Sequence, residues 1–336
     1  MKKLIFLLMI VLLFSVLIPV VLINQKRELL DKVEIIVERG MSCSYVLNEL
    51  ERKKLIKHKF IIYHLLKISR KSKSIKAGEY EFEGKISDIY VIKKILKGEV
   101  KKYSVTVPEG SNIYQIAKMV YRICPAEDFL SRAMAPEIAR RYGINSSSLE
   151  GFLFPDTYFF EKSDNCEKII DAMVRRFFKE WTPEFKRRAE EIGMSMEEVI
   201  TLASIIEKEA RVKEEAPLIS AVFHNRLKKN MFLQADPTVI YGLLPNFDGN
   251  LKKEHLQTPG PYNTYKRKGL PPTPICNPGR DAIYSALYPA EVPYLYFVSR
   301  NDGTHVFTTN LKEHNYYVEI YQKKKGAPVK NKAVQE

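Results

Sequence analysis

The chain has 336 residues, 45% hydrophobic and 28% charged, enough apolar material for a substantial core and too much for a disordered polymer. Its net charge of +14 directs it toward anionic surroundings such as phospholipid or acidic wall polymer. The lysines are spread through helical segments instead of forming an aromatic-interleaved basic stripe, which argues against nucleic acid. The cysteines Cys43, Cys124, Cys166 and Cys276 contain no Cys-x-x-Cys pair, which excludes zinc-ribbon and thioredoxin-type motifs.

Leu4 to Ile23 are apolar or small, broken only by Ser15 and Pro19, and a helix of that length matches a hydrocarbon layer of about 30 Å. The expectation is a single N-terminal transmembrane helix within residues 1–25, holding the chain at the cytoplasmic (inner) membrane with its bulk outside. A cleaved secretory signal is the alternative, but no small-x-small cleavage site follows the run. In an oxidising compartment the cysteines form disulfides or stay as buried thiols, and spacing assigns no pairing.

Val33 to Glu38 alternates as a strand, Gly40 permits a turn, and Ser42 can cap a helix carrying Val46, Leu47 and Leu50. A helix over Lys59 to Ile68, a strand over Gly78 to Glu83 and a helix from Ser87 to Leu96 complete a small α+β module of residues 33–104. Strand-turn-helix returns at Val105 to Val120, with Gly110 in the place of Gly40. Beyond it, residues 105–323 read as a mostly helical domain with helices at Ser111–Ile123, Ala126–Tyr142, Cys166–Trp181, Thr182–Ile192, Ser195–Arg211 and Glu214–Lys229. A short hairpin at Tyr294–Ser299 and Thr304–Thr308 and a helix from Leu311 to Tyr321 follow. The fold class is therefore α+β, and residues 324–336 read as a basic, solvated tail.

The Ser195–Arg211 helix carries the clearest chemical signal. Ser195 and Glu198 form a capping box that fixes where it starts. Glu207 then falls on the face of Ile200, Ala203 and Ser204, where apolar surface disfavours its charged form and raises its pKa. An acid kept protonated near neutral pH suits proton donation to a glycosidic oxygen. The plain alternative is a surface acid paired with Arg211 at i+4.

Loops rich in Pro, Gly, Asn and Tyr lie between these helices. Glu150 to Tyr158 mixes aromatic faces with the acids Glu150 and Asp156, a combination that stacks on sugar rings and bonds their rims. Leu233 to Gly242 places Gln234, Asp236 and Thr238 before an apolar segment, with Asp236 as a helix cap and Pro237 at the first helical position. Tyr262 and Asn263 precede the proline-rich loop from Gly269 to Gly279. The histidines His224, His255 and His305 lack metal-ligand spacing, and neither metal nor organic cofactor is expected.

Leu149–Tyr158, Ala203–Glu209, Asn225–Leu227, Leu233–Gly242, Tyr262–Tyr265 and Gly269–Pro272, with Tyr294–Val298 and Gly303–Phe307, together resemble the endolytic murein transglycosylase family, the MltG or YceG-like proteins. Ala235 departs from the Thr or Ser usual there. The strand-helix-helix-strand order of the first module is similar to LysM carbohydrate-binding modules. The resemblance implies cleavage of the β-1,4 bond between N-acetylmuramic acid and N-acetylglucosamine without water, leaving 1,6-anhydro ends and terminating nascent strands. It implies Glu207 as the catalytic acid, Glu209 being the neighbouring acid of the same motif. Gln234, Asp236, Thr238, Tyr262, Asn263, Glu150 and Asp156 are the candidates for binding glycan. Peptidoglycan strands, and a peptidoglycan synthase, are the implied partners. A wall-binding scaffold that holds glycan without cutting it is the competing class.

Overall fold

The computed structural model describes residues 2–323. It divides into two compact units: residues up to 104 together with 159–164, and residues 105–158 together with those from 165 onward.

The first unit contains α1 (Lys2–Asn24), β1 (Arg27–Val37), α2 (Cys43–Arg52), α3 (Lys59–Ile68), β2 (Gly78–Ile86) and α4 (Asp88–Lys97). β1 and β2 pair antiparallel, with Ile35 opposite Tyr80 and Val33 opposite Phe82, and the register shifts between Leu29 and Val33. Period-two alternation turns Ile35, Val37, Tyr80 and Phe82 to one face, where α2, α3 and α4 cover them with residues such as Leu47, Ile62 and Val91. Ser42 and Ser87 accept hydrogen bonds from the Tyr45 and Tyr90 amides and so start α2 and α4.

A membrane crossing takes about 20 consecutive apolar residues, and among the described residues no helix is long and apolar enough to cross a membrane. That finding corrects the expected transmembrane helix and the membrane contact through Leu4–Ile23. A helix does form there, but Pro19 lies inside it and its end belongs to this unit, with Ile23 buried in the core. The basic tail 324–336 lies outside the described residues.

β3 (Tyr103–Thr106) leads into the second unit, which holds α5 (Ile113–Val120), α6 (Ala126–Ala133), α7 (Pro136–Arg141), α8 (Cys166–Glu180), α9 (Pro183–Glu191) and α10 (Met196–Glu209), while β4 (Thr157–Phe160) begins in this unit and ends in the segment 159–164 that belongs to the first. After these come α11 (Ala216–Lys228), α12 (Asp236–Gly242), α13 (Lys253–Gln257), α14 (Arg280–Leu287), the hairpin β5 (Tyr296–Ser299) and β6 (His305–Thr308), and α15 (Leu311–Val318). The single helix expected over Ala126–Tyr142 is two. Pro136 takes the first position of α7 and holds Ala135 in extended backbone, which breaks the run. Gly110, like Gly40, sits at positive φ, 75° and 89° respectively, so the two strand-turn-helix segments share their turn as well as their order.

α10 is the centre of this unit. The Ser195–Glu198 capping box starts it, and eight successive residues from Val199 to Ile206 are buried, so it is covered on every side. α9, α11, α12 and α14 pack around it. Ser204 resolves its buried hydroxyl by donating to Thr201 O and accepting from the Ile275 amide, at 2.7 and 3.0 Å. A disulfide joins Cys124 to Cys166 across 42 residues. Loop-closure entropy puts its stabilisation at about 4 kcal/mol. Cys43 and Cys276 are free thiols.

Candidate active site

The last turn of α10 carries two acids separated by one residue. At 3.6 residues per turn they point in nearly opposite directions, and the structure gives them different surroundings. Glu209, the final helical residue, lines a cavity of about 550 Å³ together with Arg226, Gln234, Asp236, Tyr265 and Tyr296. Glu207 does not line it. Its Oε2 accepts the Gly279 amide at 2.9 Å, at the start of α14, and its Cγ lies against Gly110. No pairing of Glu207 with Arg211 occurs among the described ion pairs.

Burial raises the Glu207 carboxyl above its ordinary range, and the nearby Glu109 charge adds to this, while the Gly279 amide and Lys208 and Lys213 pull the other way. Glu209 is pushed up to about 7. Burial is the main cause, the Asp236 charge adds to it, and the Arg226 charge partly offsets it. The carbonyl end of α10 lies beside Glu209, and its partial negative charge works in the same direction. Glu209 is therefore divided between its acid and its carboxylate near neutral pH, the condition in which one residue can both give and take a proton.

The walls of the cavity come from segments far apart in sequence and are tied by buried polar groups. Arg226, only 6% exposed, donates from Nε to Leu295 O and from Nη1 to Leu233 O, both at 2.7 Å, which joins α11 to the Leu233 loop and to the hairpin. In that loop Gln234 holds φ at 53°, an uncommon conformation for a residue with a side chain. Thr264 keeps it there: its carbonyl accepts from Gln234 N at 3.1 Å, its hydroxyl accepts from Ala235 N at 3.0 Å, and the same hydroxyl meets Thr238 Oγ1 at 2.9 Å. Tyr265 donates its hydroxyl to Asp236 Oδ1 at 2.6 Å. On the hairpin, His305 Nδ1 meets Glu215 Oε2 at 2.7 Å.

Of the residues expected at the site, Gln234 and Asp236 stand on the cavity wall. Thr238 is fully buried beneath them and its hydroxyl is used internally. Asp236 does not cap α12; the cap position is Ala235, with no side-chain bond. Asn263 is buried and braces its loop, donating from Nδ2 to the carbonyls of His255, Leu256 and Thr258. Tyr262 meets the Thr273 hydroxyl at 2.6 Å and packs on Tyr241, away from the cavity. Glu150 is fully buried: Ile113 N and the Tyr241 hydroxyl donate to its Oε2 and Asn277 Nδ2 to its Oε1, and burial pushes its pKa up to about 8 against these bonds. Asp156 pairs with Arg176 at 2.6 Å. Arg226, Tyr265 and Tyr296 stand in the motifs Asn-Arg-Leu, Tyr-Asn-Thr-Tyr and Tyr-Leu-Tyr-Phe-Val, which sequence reading marked without singling out those side chains. Among the described residues no group of His, Cys, Asp and Glu is arranged to hold a metal ion.

The pattern of the YceG-like family matches residues 35–320. A Bacillus subtilis (strain 168) protein named endolytic murein transglycosylase is 34% identical over 307 residues, covering 86% of this chain and 84% of that one. A protein of the same name from Streptococcus pneumoniae serotype 2 (strain D39 / NCTC 7466) is 29% identical over 312 residues. That match covers 83% of this chain but 56% of the relative, so the chain spans little more than half of the pneumococcal protein. The 2.6 Å crystal structure of a Listeria monocytogenes protein described as YceG-like superposes with a TM-score of 0.59 at 32% identity, over 85% of this chain and 98% of that one.

Proposed function

The chain belongs to the YceG-like family, and from that premise we propose that it is an endolytic murein transglycosylase in which Glu209 is the acid–base residue. The observation that carries the assignment is the position of Glu209 on the cavity, beside Asp236, with its pKa pushed up to about 7. The role expected of Glu207 passes to Glu209 in this reading, because Glu207 spends a carboxylate oxygen on the Gly279 amide and lies off the cavity.

Protonated Glu209 gives its proton to the glycosidic oxygen as the bond from the muramic acid C1 breaks. The resulting carboxylate takes the proton of the same sugar's 6-hydroxyl as that oxygen bonds to C1. The glycan is cut into a 1,6-anhydro end and a free 4-hydroxyl, no water is added, and Glu209 returns to its starting form. A hydrolytic glycosidase needs a second carboxylate to act as nucleophile or to activate water; an intramolecular hydroxyl removes that need. Gln234 and Asp236 bind the glycan, with Tyr265 orienting Asp236 through the bond between them. The cystine Cys124–Cys166 supports a place outside the reducing cytoplasm. Termination of nascent strands beside a peptidoglycan synthase belongs to the same proposal and is tested by co-purification with a synthase.

Mass spectrometry of uncrosslinked peptidoglycan glycan incubated with the chain tests the reaction. Anhydro ends from the wild type and from Glu207→Gln, but not from Glu209→Gln, are expected. Products heavier by one water mean a hydrolase. Binding without any cleavage means a wall-binding scaffold.

A further inference from the structure

One wall of the cavity is the last described α-helix, which contributes Leu311, His314, Asn315 and Val318. These positions are i, i+3, i+4 and i+7, one face of a helix. Glu209, Asp236 and Gln234 offer charge and amide elsewhere on the wall, while α15 sets the aliphatic side chains of Leu311 and Val318 on either side of an imidazole, with the Asn315 amide beside it.

The imidazole is held by a ring stack. His314 stacks on Tyr296 with ring centroids 5.2 Å apart and planes 30° apart, and the Arg226 guanidinium lies over the same Tyr296 ring at 5.2 Å. Nδ1 of His314 is buried and has no hydrogen-bond partner among the described residues. Burial, followed by the Arg226 charge, lowers its pKa, so the ring is neutral, with one donor and one acceptor nitrogen. Folded proteins seldom leave such an atom unpaired. The last torsion of a histidine is broad, so a turn of the ring can present either nitrogen to the cavity.

A sugar hydroxyl needs a polar partner only. A 2-acetamido group needs more: a hydrogen-bonding group for its amide and an apolar surface for its methyl. The α15 face supplies both within two turns. Resting on the transglycosylase reading above, we propose that α15 reads the 2-acetamido group of the bound glycan, His314 hydrogen-bonding the amide while Leu311 and Val318 receive the methyl. His314 is a specificity residue in this account and takes no part in proton transfer to the leaving oxygen.

The test measures binding in a chain that cannot cut. Chitotetraose and its fully de-N-acetylated counterpart are titrated by calorimetry into the full chain carrying Glu209→Gln, with and without His314→Phe, which keeps a ring for the stack on Tyr296 but removes both nitrogens. The acetylated sugar should bind about tenfold more tightly than the de-acetylated one, the worth of one well-placed hydrogen bond and its desolvation. His314→Phe should reduce that preference to within about twofold while leaving the affinity for the de-acetylated sugar unchanged. Leu311→Ser, at a position 54% exposed and so tolerant of substitution, should also shrink the preference, and it serves if His314→Phe does not fold. Equal loss for both sugars, or a preference that survives both substitutions, overturns the proposal. Binding does not depend on cleavage, so a wild type that never produces anhydro ends would overturn the reaction proposed above and leave this result to stand on its own.

Discussion

Replacing Glu209 with glutamine separates chemistry from stability in one variant. In the folded chain Glu209 is held at about 7 against an ordinary value of 4.5, a difference of 2.5 units, or roughly 3 kcal/mol at 1.36 kcal/mol per unit. A carboxyl whose folded pKa is raised binds its proton more tightly in the native state. The stability this gives is complete below pH 4.5 and is lost as pH rises through 7. Glutamine does not titrate. The difference in unfolding free energy between Glu209→Gln and the wild type should therefore rise in favour of the variant by up to about 3 kcal/mol between pH 4.5 and pH 8.5. Titrating groups that do not interact with Glu209, Glu150 among them, are common to both chains and cancel. The assay is urea unfolding followed by the fluorescence of Trp181, the single tryptophan, which packs on Phe177 and Phe185 beside the centre of the second unit. Turnover should move oppositely, falling by about 10²- to 10⁴-fold when the acid–base residue is lost. A stability difference that is flat with pH, or full turnover in Glu209→Gln together with its loss in Glu207→Gln, refutes the assignment.

Asp236→Asn removes a negative charge that helps hold Glu209 protonated, so the alkaline limb of the pH–rate profile should move to lower pH; an unmoved limb means the two carboxyls do not interact. Arg226→Met leaves the buried carbonyls of Leu233 and Leu295 without their donor, and should cost roughly 2–4 kcal/mol of stability in chemical denaturation. Glu150→Leu strands the Ile113 amide, the Tyr241 hydroxyl and the Asn277 side-chain amide; about 3 kcal/mol should be lost at pH 6, by the same measurement. If Glu150 bound glycan instead, turnover would fall in that variant without loss of stability.

Local signals in the sequence reach a definite distance. The apolar run and the Ser195–Glu198 capping box mark α10 because both are written within one helix. Which of its two acids meets substrate is not written there. Helical period places Glu207 and Glu209 on different faces, but the face that becomes a cavity is decided by Thr264 holding the Leu233 loop and by Arg226 holding the hairpin, all contributed by later segments. The same limit explains Asn263 and Glu150, whose polar side chains look ready for sugar but are consumed by backbone groups that come close only in the folded chain. Glu150 meets Asn277 from 127 positions away. Cys124 and Cys166 pair for an equally non-local reason, the approach of the end of α5 to the start of α8. Pro136, by contrast, is a local break inside Ala126–Tyr142, written in the residue itself.

The cavity at Glu209 also orders events in time. Its acid arrives with α10, but Tyr296, the hairpin and α15 are supplied by residues that leave the ribosome much later. A chain that has emerged only through α10 carries Glu209 without the segments that form the other walls of its cavity. Synthesis from the amino end therefore delays completion of the cavity until the segment reaching Gln322 has emerged and α15 has folded against the hairpin.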